Sequence, residues 1–159
     1  METNYPVEDS KLPVDWKGKL KDMVAEGKKV IVFCPTVKGA LGTNTLAREF
    51  GGAENKVMAL NRENYAAVHP VIKTGEYNII FSTNIAECGL NADLDVVMDL
   101  REKMEFLPLQ NGKAVQMDKV GINHASYIQR RGRVGRNKPG EYLHSATISV
   151  LTRGPMSLF

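Results

Sequence analysis

The chain has little that could staple or anchor it. Two cysteines, three histidines and one tryptophan are spread over 159 residues. Cys34 and Cys88 lie far apart without metal-ligand spacing, and His69, His124 and His144 are scattered. Neither a disulfide framework nor a His/Cys metal centre is read from them, and the low cysteine content fits a reduced intracellular setting. No apolar run approaches the roughly 18 residues that a membrane span needs. The N-terminus lacks the charged-then-apolar pattern of a signal peptide. No Gly-x-x-x-x-Gly-Lys-Ser/Thr phosphate loop occurs: Gly39-Ala40-Leu41-Gly42 lacks the lysine, and Gly27-Lys28-Lys29 leads into an apolar run. No Asp-Glu-x-His string for magnesium binding and water activation occurs either. What remains, 43% apolar and 25% charged residues with a net charge of +3, is the composition of one mildly basic globular domain.

Residues 1–12 are polar, carry Pro6 and show no periodicity, so they read as a linker, with the domain proper over 13–159. Trp16, Leu20, Met23 and Val24 form one helical stripe, with Asp15 as N-cap and Gly27 as stop. Val30-Ile31-Val32-Phe33-Cys34, closed by Pro35, reads as a buried parallel strand. A helix over 39–50, a strand over 56–60, a helix over 63–73 bent or ended by Pro70, and strands over 78–82 and 95–100 follow. Such alternation implies crossover units and a parallel sheet with both faces covered, an α/β fold. Asn111-Gly112, flanked by apolar runs, then signals a hairpin. Residues 123–131 read as a helix with Ala125, Ile128 and Tyr127 inward, and 142–151 as a closing strand.

One stretch stands out: Gln129-Arg130-Arg131-Gly132-Arg133-Val134-Gly135-Arg136. It holds four arginines, and no Asp or Glu occurs between Lys119 and Gly140. Arginine is always charged, and its planar fork fits phosphate oxygens in pairs. Arg130, Arg133 and Arg136 are spaced by three, as along one face of a helical turn. Gly132 and Gly135 remove side chains where a ligand or another backbone could come close. Without further context this is an anion site, a solvated basic helix face, or a nucleic-acid patch.

Together with His124-Ala125-Ser126 before it and Asn137 after it, the string resembles motif VI of superfamily 2 helicases, in the form found in flavivirus-type nonstructural protein 3. Two strand-ending loops support the likeness. Pro35-Thr36-Val37-Lys38-Gly39 resembles motif IV, and Ser82-Thr83-Asn84-Ile85-Ala86-Glu87-Cys88-Gly89-Leu90-Asn91 resembles motif V. The resemblance runs over residues 28–142. It implies a RecA-like three-layer α/β fold with a mainly parallel sheet and a β-hairpin between motifs V and VI.

The same resemblance implies roles. Arg133 and Arg136 would be arginine fingers on the triphosphate of ATP, and Gln129 would place the attacking water. Glu87 and Gly89 would lie on the nucleotide side. Pro35, Thr36, Lys38, Arg62, Thr83 and Asn84 would hold the backbone of single-stranded RNA. Asn84 departs from the pattern: flavivirus enzymes usually carry Asp there, and cellular DEAH-box helicases carry Asn. Arg131 and the hairpin favour the viral type. Because the phosphate loop and the Asp-Glu-x-His string are missing, the chain resembles the second RecA-like domain alone. ATP and Mg²⁺ would then be held mainly by a first RecA-like domain, and a C-terminal helicase domain of the same polyprotein would complete the enzyme. The chain by itself is expected to be inactive. The family also implies work in a viral replication complex, at membranes of the host cytoplasm. Two other readings stand beside this one: a fragment of a cellular DEAH-box helicase, and a non-catalytic RNA-binding module using the same basic strip.

Overall fold

The computed structural model describes residues 4–52, 55–87, 90, 92–108 and 115–145. Six strands form a parallel sheet: β1 (Val7–Lys11), β2 (Val30–Phe33), β3 (Val57–Leu60), β4 (Ile79–Ser82), β5 (Val96–Asp99) and β8 (Gly140–His144), in the order β1-β8-β5-β2-β4-β3. Helices α1 (Trp16–Ala25), α2 (Thr43–Phe50), α3 (Tyr65–Ile72) and α4 (His124–Arg131) cover it. Between β5 and α4, strands β6 (Glu102–Pro108) and β7 (Val115–Gly121) pair antiparallel from Glu102↔Gly121 to Pro108↔Val115. The Asn111-Gly112 turn lies outside the described residues. No helix among them is long and apolar enough to cross a membrane.

Strand periodicity sorts the core into two layers. Side chains alternate across a strand, so Val30, Val32, Ile79, Phe81, Val96 and Met98 pack with Leu20 and Met23 of α1 and Leu46 and Phe50 of α2. Ile31, Phe33, Ile80, Val97 and Tyr142 point to the other face, with Ile72 of α3. The central strands β2, β4 and β5 are buried throughout, which is why they read as unbroken apolar runs. By the same alternation Asp99, two residues after Val97, falls on the α4 side.

Several expectations change. Residues 7–11 are not linker: β1 is an edge strand paired in parallel with β8 from Val7↔Gly140 to Lys11↔His144. Its residues are mostly exposed, so it has no apolar signature to betray it. Helix α2 starts at Thr43 rather than 39, because residues 36–42 fold into a turn of their own. Helix α3 spans Tyr65–Ile72, shorter than 63–73, and ends two residues after Pro70. In α4, Ala125 is exposed and Ile128 half-buried, while Ser126 and Arg130 are the buried pair. The helix meets carboxylates instead of a purely apolar surface. The closing strand begins at Gly140; residues 146–151 lie outside the described ones.

Candidate functional site

Helix α4 begins at Asn123, whose side chain accepts from the Ser126 N–H at 2.9 Å. One turn into the helix and two turns in, Ser126 and Arg130 reach the loop after β4. Ser126 Oγ donates to Glu87 Oε1 at 3.1 Å, and Arg130 Nε donates to Glu87 Oε2 at 2.8 Å. Arg130 Nη1 donates to Asp99 Oδ1 at 2.8 Å, and its guanidinium lies 4.8 Å from the centre of the Phe33 ring. Asp99 also accepts from the Tyr142 hydroxyl at 2.6 Å and from the Arg101 N–H at 2.7 Å. Arg130 and Asp99 are both fully buried. Burial is the strongest influence on Arg130 and works against its charge, but Asp99 and Glu87 together raise its pKa, so it stays ionised.

This network corrects the reading of one arginine row. Arg130 does not continue the face of Arg133 and Arg136; it points inward and ties the motif V loop to the helix. Both oxygens of Glu87 are taken by protein donors, so its carboxylate holds the loop in place. Gly89 and Cys88 lie outside the described residues. Gly132 is the helix C-cap in ordinary helical conformation, and Gly135 has φ of 75°, a left-handed turn that favours glycine.

Beyond the helix, Arg133 Nη1 and Arg136 Nη1 both donate to the Leu90 carbonyl, at 3.1 and 3.5 Å, and Arg133 Nε donates to the Gln129 carbonyl at 3.2 Å. The Gln129 residue itself is half-buried. The two arginines line a cavity of about 490 Å³ with Lys73, Ala92, Asp93, Leu94 and Asn137. Among the described lining residues the one carboxylate is Asp93, which is bound by Lys138 at 2.9 Å, and Lys138 also holds Asp95 at 2.9 Å. Three cations, Lys73, Arg133 and Arg136, therefore set the sign of the cavity, which suits an anion with several negative charges.

The other candidate residues gather elsewhere. The loops after β2, β3 and β4 are neighbours because those strands are neighbours. Thr83 N–H donates to the Leu60 carbonyl at 3.1 Å. Asn61, buried, donates to Thr43 Oγ1 at 3.2 Å and Asn44 Oδ1 at 3.3 Å, stitching the loop after β3 to the start of α2. The Thr36 hydroxyl donates to the Lys38 carbonyl, and Thr36 and Val37 carbonyls accept from Thr43 and Asn44. Lys38, Arg62 and Asn84 are exposed, Thr36 and Thr83 partly so, and Pro35 is buried. Pro35 thus shapes the strand exit and offers no surface. The sequence signal for Asn61 is an Asn-x-x-Asn spacing to Asn64, whose Oδ1 accepts from the Asn61 N–H at 2.8 Å.

The two groups occupy different ends of the sheet. The loops with Thr36, Lys38, Arg62, Thr83 and Asn84 follow the carboxyl ends of β2, β3 and β4. The cavity is lined by segments that lead into the amino ends of β4, β5 and β8. The rule that ligands sit beyond the carboxyl ends of an open α/β sheet covers the first group only.

A parallel sheet of this order, covered on both faces, with an arginine loop after its last helix, defines a class: residues 17–138 match the helicase conserved C-terminal domain, and the chain belongs to that family. It is similar to the genome polyprotein of Banzi virus, 34% identical over 139 residues, which is 86% of this chain and 4% of the polyprotein. The Edge Hill virus polyprotein is 32% identical over 140 residues, with the same coverage. The NS3-like helicase from Alongshan virus superposes with a TM-score of 0.82 at 23% identity, over 98% of this chain and 40% of that one. The Escherichia coli DEAH/RHA helicase HrpB gives a TM-score of 0.66 at 20% identity, over 97% of this chain and 22% of that one. These likenesses establish the RecA-like fold. The chain is a small part of the length of the polyproteins it matches.

Proposed function

We propose that the chain is the second RecA-like domain of an ATP-dependent viral RNA helicase, supplying arginine fingers for nucleotide hydrolysis and half of an RNA-backbone groove. The observation that carries this reading is the cationic cavity of Lys73, Arg133 and Arg136, set apart from the exposed Lys38, Arg62 and Asn84 at the other end of the sheet. A motor needs its fuel and its track on separate surfaces joined by a rigid body. In this reading ATP binds in a cleft between two RecA-like domains. Arg133 and Arg136 leave the Leu90 carbonyl for the phosphates, and Gln129 places the attacking water. Arginine fingers contribute about 10³–10⁵ in rate to phosphoryl transfer. Mg²⁺ would be held mainly by the first domain and would neutralise phosphate charge there. After hydrolysis the arginines lose their partner and the cleft opens. Thr36, Lys38, Arg62, Thr83 and Asn84 hold RNA by its phosphates, so opening moves the strand. Such contacts carry little sequence information, as a motor requires.

The Glu87–Arg130 pair gives a physical link between the two surfaces. The loop after β4 starts at the RNA side with Thr83 and Asn84, is gripped by α4 at Glu87, and offers the Leu90 carbonyl to both fingers. The relatives are parts of viral polyproteins, and the reading adds a first RecA-like domain upstream, a further helicase domain downstream, and action in a replication complex in the host cytoplasm. ATP turnover tests the proposal. The chain alone should be silent, and joined to a domain with a phosphate loop it should hydrolyse ATP with stimulation by single-stranded RNA. Tight, steeply salt-dependent RNA binding by the chain alone, without turnover in the joined form, would support the binding-module alternative instead.

A further inference from the structure

The N-terminal segment bonds to the arginine loop at Arg131, Gly135, Arg136 and Gly140. The Asn4 amide donates to the Arg136 carbonyl at 3.2 Å, and the Tyr5 N–H donates to the Gly135 carbonyl at 2.9 Å. Gly140 N–H returns a bond to the Pro6 carbonyl at 3.1 Å. Arg131 closes the set: Nε and Nη2 reach Asp9 Oδ1 and Oδ2, each at 2.8 Å, and Nη2 also meets the Val7 carbonyl at 3.1 Å. A two-pronged arginine–carboxylate pair fixes orientation as well as distance. Packing leaves little slack on the other side of the loop. A Cβ on Gly140 would sit 2.6 Å from Val134 Cβ, so β8 and the arginine loop touch without a side chain between them.

We infer that segment 4–11 is a splint for the arginine loop, and that Asp9 and Arg131 are positioning residues whose pairing holds Arg133 and Arg136 in register with the cavity. Neither side chain lines that cavity. The splint acts through backbone. Residues 4–6 hold the carbonyls of Gly135 and Arg136 and the Gly140 N–H, β1 is zipped to β8, and Arg131 locks the strand to the last turn of α4. A pull on the strand is thereby felt at the fingers, so whatever precedes the strand has a mechanical route to them. The catalytic consequence rests on the arginine-finger reading; the splint itself does not.

The experiment has two arms. In the first, amide hydrogen exchange is followed in the chain for Asp9→Ala, Arg131→Ala and the charge swap Asp9→Arg with Arg131→Asp. The Arg133 and Val134 amides, bonded to the Arg130 and Arg131 carbonyls, report the loop, and Val32 and Phe81 report the core. Each single change should speed exchange of the loop amides about threefold to tenfold with the core amides unchanged, and the swap should restore protection. Unchanged loop exchange overturns the splint. In the second arm, NTP turnover is measured in the helicase that contains the first domain. Asp9→Ala should lower kcat several-fold with KM nearly constant, and the swap should recover kcat. An unmoved kcat beside faster loop exchange overturns the positioning role. If Arg136→Ala leaves turnover intact, the arginine-finger reading fails instead, and the exchange arm decides the splint alone.

Discussion

Arg130 is spaced three residues before Arg133, as on one face of a helical turn, but its guanidinium turns inward. Its neighbours Arg133 and Arg136 line the cationic cavity, yet Arg130 is buried and shared between Asp99 and Glu87. Removing one member of a buried pair leaves the other charged in a dry site. Asp99→Ala should therefore destabilise the domain by about 3–5 kcal/mol, read from the urea midpoint. The same change releases the Arg101 N–H, which Asp99 caps where Arg101 adopts φ of 58°. Tyr142→Phe removes the hydroxyl that donates to Asp99 at 2.6 Å and accepts from Arg101 Nε at 3.4 Å, and should lose about 1.5–3 kcal/mol. If either change stayed within about 0.5 kcal/mol, the network would carry no measurable share of the stability. Cys34 gives a chemical test at the same scale. Burial pushes its thiol well above the usual range, so little thiolate forms near neutrality. Peptide mapping after alkylation should find Cys34 unlabelled in the native domain and labelled once it is unfolded.

At the scale of elements, the buried strands and α1 were legible because their signal is their own: apolar alternation, and a stripe capped by Asp15. The β1 strand was not. Its residues face solvent, and only the neighbouring β8 makes them a strand. The pairing of Glu87 with Arg130 was equally hidden, since residues 43 apart give no local sign of contact. The arginine cavity was half legible: the resemblance to motif VI singled out Arg133 and Arg136, while Lys73 came to it only through the fold. Two predictions belong here. Gly42 has Lys38 and Val37 backbone atoms at 2.5–2.6 Å from where a Cβ would sit. Gly42→Ala should displace the turn that presents Thr36 and Lys38, lowering RNA affinity of the joined helicase and losing about 1–3 kcal/mol of stability. The second concerns pH. The hydrogen bond from Arg131, opposed by partial burial and helped by the nearby positive charge, holds the Asp9 carboxyl below its ordinary 3.8. A depressed folded pKa means that the contribution of this pair is fully present above about 3.8–3.9 and is lost as pH falls through the lower folded value. Exchange protection of β1 should hold at pH 5 to 7 and fall below about pH 3.8, while Asp9→Asn should flatten that dependence.

For the whole molecule, the account rests on the separation of two charged surfaces on one rigid sheet. The cationic cavity lies by the amino ends of β4, β5 and β8, and the exposed Lys38, Arg62 and Asn84 follow the carboxyl ends of β2, β3 and β4. Arg62→Ala should weaken RNA binding of the joined helicase evenly across sequences and reduce the slope of log affinity against log salt by about one. The most direct measurement is RNA-stimulated ATP turnover of the joined helicase with and without Arg136→Ala, alongside its RNA affinity without nucleotide. The account predicts turnover lower by about 10³ or more with RNA affinity kept and the domain folded. Turnover that survives the substitution, or that falls only in step with RNA affinity, would make the arginine loop an RNA-binding strip and contradict the account.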